Sequence, residues 1–308
     1  MITLEGVTKL YDQKPAVDGL DLAVSPGSIF GLIGPNGAGK TTTLKMAATL
    51  IKPDVGRITV CGHDLCRDAR RARRVIGYMP DSFGTFAGIT CEEYLQFFGR
   101  IHGYRSGALS ARIDAVSDLT DLGRLRDRAV TALSTGMRQR LCLAKTLLHD
   151  PEVLILDEPA SGLDPRARIE IRSLLKELGR MGKTVVISSH ILADLEEICT
   201  DVAIVEEGKL VWAGSLGAVK KEIRSQRLDA SVEVPEESVS LAIDVLKGLE
   251  FIETVAAEGA TIKVKMRGRH GNRLLAALID AAVEIHSYTE EKVDLEAIFL
   301  ERTRGIVS

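Results

Sequence analysis

The chain has 308 residues, enough for two domains, and its charges nearly cancel, with 40 Lys+Arg against 43 Asp+Glu. Neither half is a basic surface, which argues against a nucleic-acid partner. Five cysteines without a CxxC pair argue against a disulfide scaffold or a cysteine zinc site and fit reduced thiols in a cytosolic protein; the opening MITLEGVTKLY lacks a signal-peptide pattern, and no run of about 18 apolar residues is present to span a bilayer.

In chain order, Ser28–Ile33 reads as a short apolar strand ending at a glycine, with a helix over Thr42–Leu50. The basic run from Arg67 to Arg74 reads as a solvated helix face. Ser82–Leu133 breaks the alternation of strands and helices and is expected to be an inserted helical subdomain. Val153–Leu156 and Thr184–Ile187 are continuous apolar runs, as in strands buried on both faces. Helical stretches follow them at Arg166–Arg180 and Ile191–Cys199. Strand, crossover helix, strand is the pattern of a parallel sheet covered by helices. Val202–Val205 and Lys209–Trp212 read as a hairpin around Glu206-Glu207-Gly208. After Gly214 the pattern changes. Leu228–Val234 is a strand and Glu237–Gly248 an amphipathic helix. Phe251–Ala256 and Thr261–Met266 form a hairpin, Asn272–Ala282 is helical, Val283–Tyr288 a strand and Val293–Arg302 a final helix. That order suggests a small ferredoxin-like domain. The expected division is 1–215 for the first domain, with its helical insertion at about 82–133, and 216–308 for an accessory domain.

Gly34-Pro35-Asn36-Gly37-Ala38-Gly39-Lys40-Thr41 matches G-x-x-x-x-G-K-[ST], after a strand and before a helix, with Thr42 next. Glycines let backbone N–H groups turn towards phosphates, and the helix start adds its positive dipole end. Lys40 supplies a cation for the outer phosphates of ATP, and Thr41 a hydroxyl for Mg2+. The bland alternative is a glycine-rich turn packing a helix on a strand. Val153–Leu156 finishes in Asp157-Glu158, and a parallel strand delivers its C-terminal residues to the ligand side of the sheet. Asp157 is then placed to hold Mg2+ through water, and Glu158 to orient and deprotonate the attacking water. Without the phosphate loop this pair would read as surface carboxylates at a turn.

Three further segments carry a resemblance. Leu133-Ser134-Thr135-Gly136-Met137-Arg138-Gln139-Arg140 resembles the ABC signature. Ser161-Gly162-Leu163-Asp164 resembles the loop after the acidic strand of that family, and His190 at the end of VVISSH resembles its switch histidine. Over about residues 2–215 the chain resembles the ATP-binding subunit of an ABC transporter. After that it resembles, more weakly, the tail of ATPase subunits of ABC-2-type exporters, including drug-export systems. The resemblance implies an α/β P-loop cassette with a mixed sheet. It implies two ATPase subunits, of the same or a related chain, stacked head to tail around two ATPs. Ser134, Gly136 and Asp164 then meet the partner's nucleotide, His190 the γ-phosphate, Tyr11 the adenine and Val17 the ribose side. It implies ATP hydrolysis that powers a separate transmembrane permease, docked through about residues 82–104, from the inner face of the membrane. Tyr78, Phe83, Phe86, Tyr94, Phe97, Phe98 and Tyr104 crowd that stretch. Phe97 and Tyr94 are expected in the subdomain core, and Phe83 and Phe86 at the permease. The chain departs from the family at Asp81, where a glutamine is usual. An aspartate still ligates Mg2+ but donates no hydrogen bond when ionised, so turnover is the property in question. Thr135 and Met137 depart from the signature without replacing its phosphate-facing residues. The rival readings are a soluble ABC ATPase serving a non-transport machine and a module that holds ATP without turnover.

Overall fold

The structure, a computed structural model, describes residues 1–82, 84, 87–290 and 295, with the backbone alone for 222–228. The chain divides into two compact units, Met1–Ser215 and Leu216–Ser308.

The first unit opens with the hairpin of β1 (Ile2–Tyr11) and β2 (Lys14–Val24). β3 (Ile29–Ile33), α1 (Lys40–Ala47), β4 (Val55–Val60), β5 (His63–Asp64), α2 (Ala69–Val75) and β6 (Ile76–Met79) follow. A helical stretch then runs through α3 (Cys91–Ile101), α4 (Ser106–Leu119), 3-10 turns at Gly123–Leu125 and Val130–Ala132, and α5 (Thr135–Leu147). The unit closes with β7 (Val153–Asp157), α6 (Pro165–Arg180), β8 (Thr184–Ser189), α7 (Leu192–Ile198), β9 (Asp201–Glu206) and β10 (Lys209–Ser215).

Two sheets result, an antiparallel β2-β1-β4-β5 and a six-stranded β10-β9-β3-β8-β7-β6. The second is parallel except for the edge strand β10. Every residue of β3, β7 and β8 is buried, which is why they read as unbroken apolar runs. One core joins Leu4, Leu22 and Ile58 of the first sheet, Leu44 and Met46 of α1, and Leu32, Ile155 and Val186 of the second. Parallel pairing aligns the strand ends: Ile33 lies beside Ser189, and Asp157 beside Ser188.

In the helical stretch, Thr90 opens α3 with a capping box. Its hydroxyl accepts the Glu93 N–H, and the Glu93 carboxylate accepts the Thr90 N–H. Tyr94 is buried, but Phe97 is 51% exposed, which corrects the expectation that both belong to the core. Helical periodicity separates them: Tyr94 lies on the buried face with Cys91 and Leu95, while Phe97 shares the outer face with Ile101, four residues on. Phe83 and Phe86 lie outside the described residues.

The second unit runs α8 (Leu216–Gln226), β11 (Arg227–Glu233), a 3-10 turn at Glu236–Ser238, α9 (Val239–Lys247), β12 (Ile252–Glu258), β13 (Thr261–Arg267), α10 (Gly271–Asp280) and β14 (Ser287–Glu290). Its sheet is antiparallel in the order β12-β13-β11-β14. With the two crossing helices, this is a ferredoxin-like β-α-β-β-α-β unit. Val232, Ile262, Val264 and Met266 pack against Leu246, Leu274 and Leu278. The last strand starts at Ser287, later than the apolar run from Val283 suggests. The Val283 N–H is committed to capping α10, donating to the Leu278 carbonyl at 3.0 Å after Ala282 turns at φ 57. Of the expected helix Val293–Arg302 only Leu295 is among the described residues, where it is helical and buried.

Candidate nucleotide site

β3 runs into the glycine-rich loop, and the backbone there needs those glycines. Gly37 and Gly39 sit at φ 84 and 95, the left-handed region that costs other residues energy. Gly34 is pressed so close to the Val205 carbonyl that a Cβ has no room. Gly39 opens α1 with no side-chain cap, and the first turn carries no acidic residue. The first N–H groups of the helix are therefore left for an anion. Behind the loop stands the β9–β10 turn, with the Gly208 N–H donating to the Ala38 carbonyl at 3.1 Å and the Asp18 N–H to the Gly208 carbonyl at 2.9 Å.

Lys40 is buried, and its Nζ donates to the carbonyls of Gly34 at 2.7 Å and Pro35 at 2.9 Å. Burial lowers its pKa, against the opposing pull of Glu158 and Asp157. Asp157, 1% exposed, closes β7. Its Oδ1 accepts the Ser188 hydroxyl at 2.6 Å and the Thr41 hydroxyl at 3.1 Å. The same Ser188 oxygen accepts the Glu158 N–H at 3.0 Å. Glu158 itself takes φ 50, a left-handed turn that non-glycine residues rarely adopt and that is often held at functional sites. Its Oε2 lies 2.9 Å from His190 Nδ1, and the histidine is half exposed. Tyr78 behind them is pushed up to about 12 by burial first, then by Asp157 and Asp81.

A cavity of about 410 Å³ is lined by Tyr11, Ala16, Asn36, Gly37, Gly39, Lys40, Thr41, Thr42, Asp81 and Glu158. Tyr11 is 48% exposed at its rim. Val17, expected on the ribose side, is fully buried in the sheet core. Alternation along β2 turns it inward and leaves its neighbour Ala16 facing the cavity. Pro35 and Ala38 contribute backbone: their own 3.2 Å hydrogen bond closes the loop. Ser134, Gly136 and Asp164 do not join this cavity. They line a second concavity of about 550 Å³ together with Arg124, Met137 and Arg140. There Ser134 caps α5, accepting the Met137 N–H at 3.3 Å, and Asp164 caps α6, accepting the Ala167 N–H at 2.9 Å. The two helix starts lie so close that a Cβ on Gly136 would sit 2.9 Å from the Ala167 Cβ. Sequence reasoning missed Ser188, Ala16 and Gly208. Only Ser188 carried a signal, its place two residues ahead of His190.

These residues fit a magnesium nucleotide. Open helix N–H groups and Lys40 suit phosphates, and a buried carboxylate with an adjacent hydroxyl is a hard oxygen donor set. Among the described residues no three His, Cys, Asp or Glu converge as a metal cage, and Mg2+ characteristically takes one or two protein oxygens and completes its shell with phosphate and water.

A phosphate loop at the head of α1, facing Asp157 and Glu158 at the end of a parallel sheet, defines a P-loop nucleoside-triphosphatase. Comparison with known proteins narrows the class. The family model described as "ABC transporter" matches residues 17–161. A daunorubicin resistance ATP-binding protein of Streptomyces coeruleorubidus is 34% identical over 98% of this chain and 95% of its own length. The Nod factor export ATP-binding protein I of Ralstonia nicotianae is 34% identical over 98% of this chain and 94% of its own length. A dimeric ATP-binding cassette solved in a post-hydrolysis state with ADP and Pi is 25% identical and superposes with a TM-score of 0.64, covering 70% of this chain and 99% of that one. The chain belongs to the family of ABC transporter ATP-binding subunits. It binds ATP and hydrolyses it to power transport, and the relatives do not favour a non-transport machine as its client.

Proposed function

We propose that this chain energises an exporter, working from the inner face of the membrane as one of two cassettes that pair head to tail around two ATPs. Two relatives are named for daunorubicin resistance and Nod factor export, which supports outward movement of a small organic molecule. The observation that carries the paired reading is the separation of Lys40 and Glu158 from Ser134, Gly136 and Asp164 into two concavities on one unit. Each then supplies half of a composite site.

In this reading the loop Gly34–Thr42 cradles the phosphates with its N–H groups, and Lys40 exchanges its loop carbonyls for phosphate oxygens. Tyr11 stacks on the adenine. Thr41 and Asp157 are the residues that would hold Mg2+, with Asp81 at the cavity wall as a further oxygen ligand. When bound, that ion neutralises charge on the phosphates. Glu158 accepts a proton from the attacking water, and His190 fixes the glutamate's carboxylate while facing the γ-phosphate. The capped starts of α5 and α6 bring Ser134, the Gly136 N–H and Asp164 to the partner's nucleotide. The permease docks against about residues 82–104, where Phe97 and Ile101 stand 51% and 63% exposed on one face of α3. Phe83 and Phe86 are part of the same proposed contact.

The test is Glu158→Gln. The variant is expected to bind ATP with near-normal affinity, to lose turnover by about 100-fold or more, and to elute as a pair in ATP and as a monomer in ADP. A variant that turns ATP over at the wild-type rate would remove Glu158 from the chemistry.

A further inference from the structure

Helix α6 starts at the cap Asp164, and α7 starts two residues after His190. Asp194, in the first turn of α7, is 4% exposed and meets two arginines of α6. Arg172 Nη1 meets its Oδ1 at 3.0 Å, and Arg168 Nε stands 3.6 Å from its Oδ2. Arg172 also reaches Glu197 at 3.2 Å. The far end of Arg168 donates to the Leu163 carbonyl at 3.4 Å, immediately before Asp164. On the other side the Asp194 N–H donates to the Ile191 carbonyl at 3.2 Å, immediately after His190. A continuous polar path therefore joins the loop of Asp164 to the loop of His190.

One joint in this path is slack. Arg168 Nε and Asp194 Oδ2 are both buried, and neither has a hydrogen-bond partner. Oppositely charged groups held just beyond hydrogen-bonding distance favour any movement that closes the gap, since a charge-assisted bond is among the strongest available to buried side chains. That movement draws α7, and with it the segment after His190, towards α6.

We propose that Asp194 is a positioning residue that couples the two composite ATP sites, tightening on Arg168 when Asp164 meets the partner's nucleotide and so setting His190 against its own. The inference rests on the paired reading above. Asp194 lines neither concavity, so its effect passes through the α6–α7 joint. A purely structural ion pair would support folding and leave pairing and nucleotide binding equally affected.

The experiment uses the full chain carrying Glu158→Gln, alone and combined with Asp194→Asn, Asp194→Glu or Arg168→Gln. Three quantities are measured: affinity of the monomer for a fluorescent ATP analogue, the ATP concentration at half-maximal pairing, and the thermal midpoint. Asp194→Asn and Arg168→Gln are expected to leave affinity within about twofold and to raise the pairing concentration about tenfold, with Asp194→Glu recovering most of the loss. Arg168→Gln serves as the milder lesion should Asp194→Asn not fold, because it keeps the Asp194–Arg172 pair. Pairing unchanged by both substitutions, or affinity and pairing falling together with the thermal midpoint, overturns the coupling role. A Glu158→Gln chain that stays monomeric at saturating ATP overturns the paired reading itself, and the coupling with it.

Discussion

Removing the Ser188 hydroxyl takes a donor from Asp157 and an acceptor from the Glu158 N–H. Ser188→Ala is expected to lower kcat about tenfold or more while raising KM for ATP only a few-fold, and to cost about 1–3 kcal/mol of stability for the buried groups left unpaired; steady-state hydrolysis and denaturant unfolding check both. That serine sits in an apolar strand, and its place two residues ahead of His190 is its one mark in the sequence until register sets it beside Asp157. The opposite holds for Lys40, Asp157 and Glu158, whose residue types and spacing already mark them as candidates, and which the fold brings to one place. Val17 shows the limit of matching by position: its partner on the cavity side is decided by which face of β2 turns inward. At Gly136 the constraint is packing against α6. Gly136→Ala should push the two helix starts apart, leaving ATP affinity of the monomer intact while pairing in the Glu158→Gln background weakens several-fold; size-exclusion in ATP reads the difference.

The β9–β10 hairpin was legible as a hairpin, but its second job as a support for the phosphate loop was not, because one Gly208–Ala38 hydrogen bond leaves no mark on either segment. Gly208 sits at φ 80 with the Ala16 carbonyl beside it. Gly208→Ala is expected to lower stability by about 1 kcal/mol or more and to weaken ATP binding together with it, measured by thermal shift with and without nucleotide. Strands buried on both faces announced themselves as apolar runs. β1, β2 and β4 did not, since each is only half buried and β1 is broken by register shifts against both neighbours. At the other end of the helical stretch, His102 stacks on His149 with ring centroids 4.2 Å apart. Burial first, then His149 and Lys145, push His102 from 6.5 down to about 4. The unfolded chain takes up this proton at the higher pH and the folded chain only at the lower. Stability from the neutral stack is therefore complete above 6.5 and drains away as pH falls towards 4. His102→Gln should flatten that loss in denaturant midpoints taken across the window.

The division of one cassette into a loop-bearing concavity and a signature-bearing concavity has an outcome that a genetic cross can read. Under the proposed head-to-tail pairing of like copies, lesions in the two hollows of one polypeptide travel to different places: a Lys40→Ala subunit is expected to spoil the pocket it owns, and a Ser134→Ala subunit its neighbour's. Pure populations of either are left with no sound pocket. In a hybrid of the two, both faults fall into the same pocket and the other is whole. Blending two dead preparations should therefore revive up to about half the output of a normal pair, diluted by the statistics of random mixing. Revival of this kind is the behaviour of a machine whose working parts are lent across a boundary, and two lesions within a single hollow should never rescue one another.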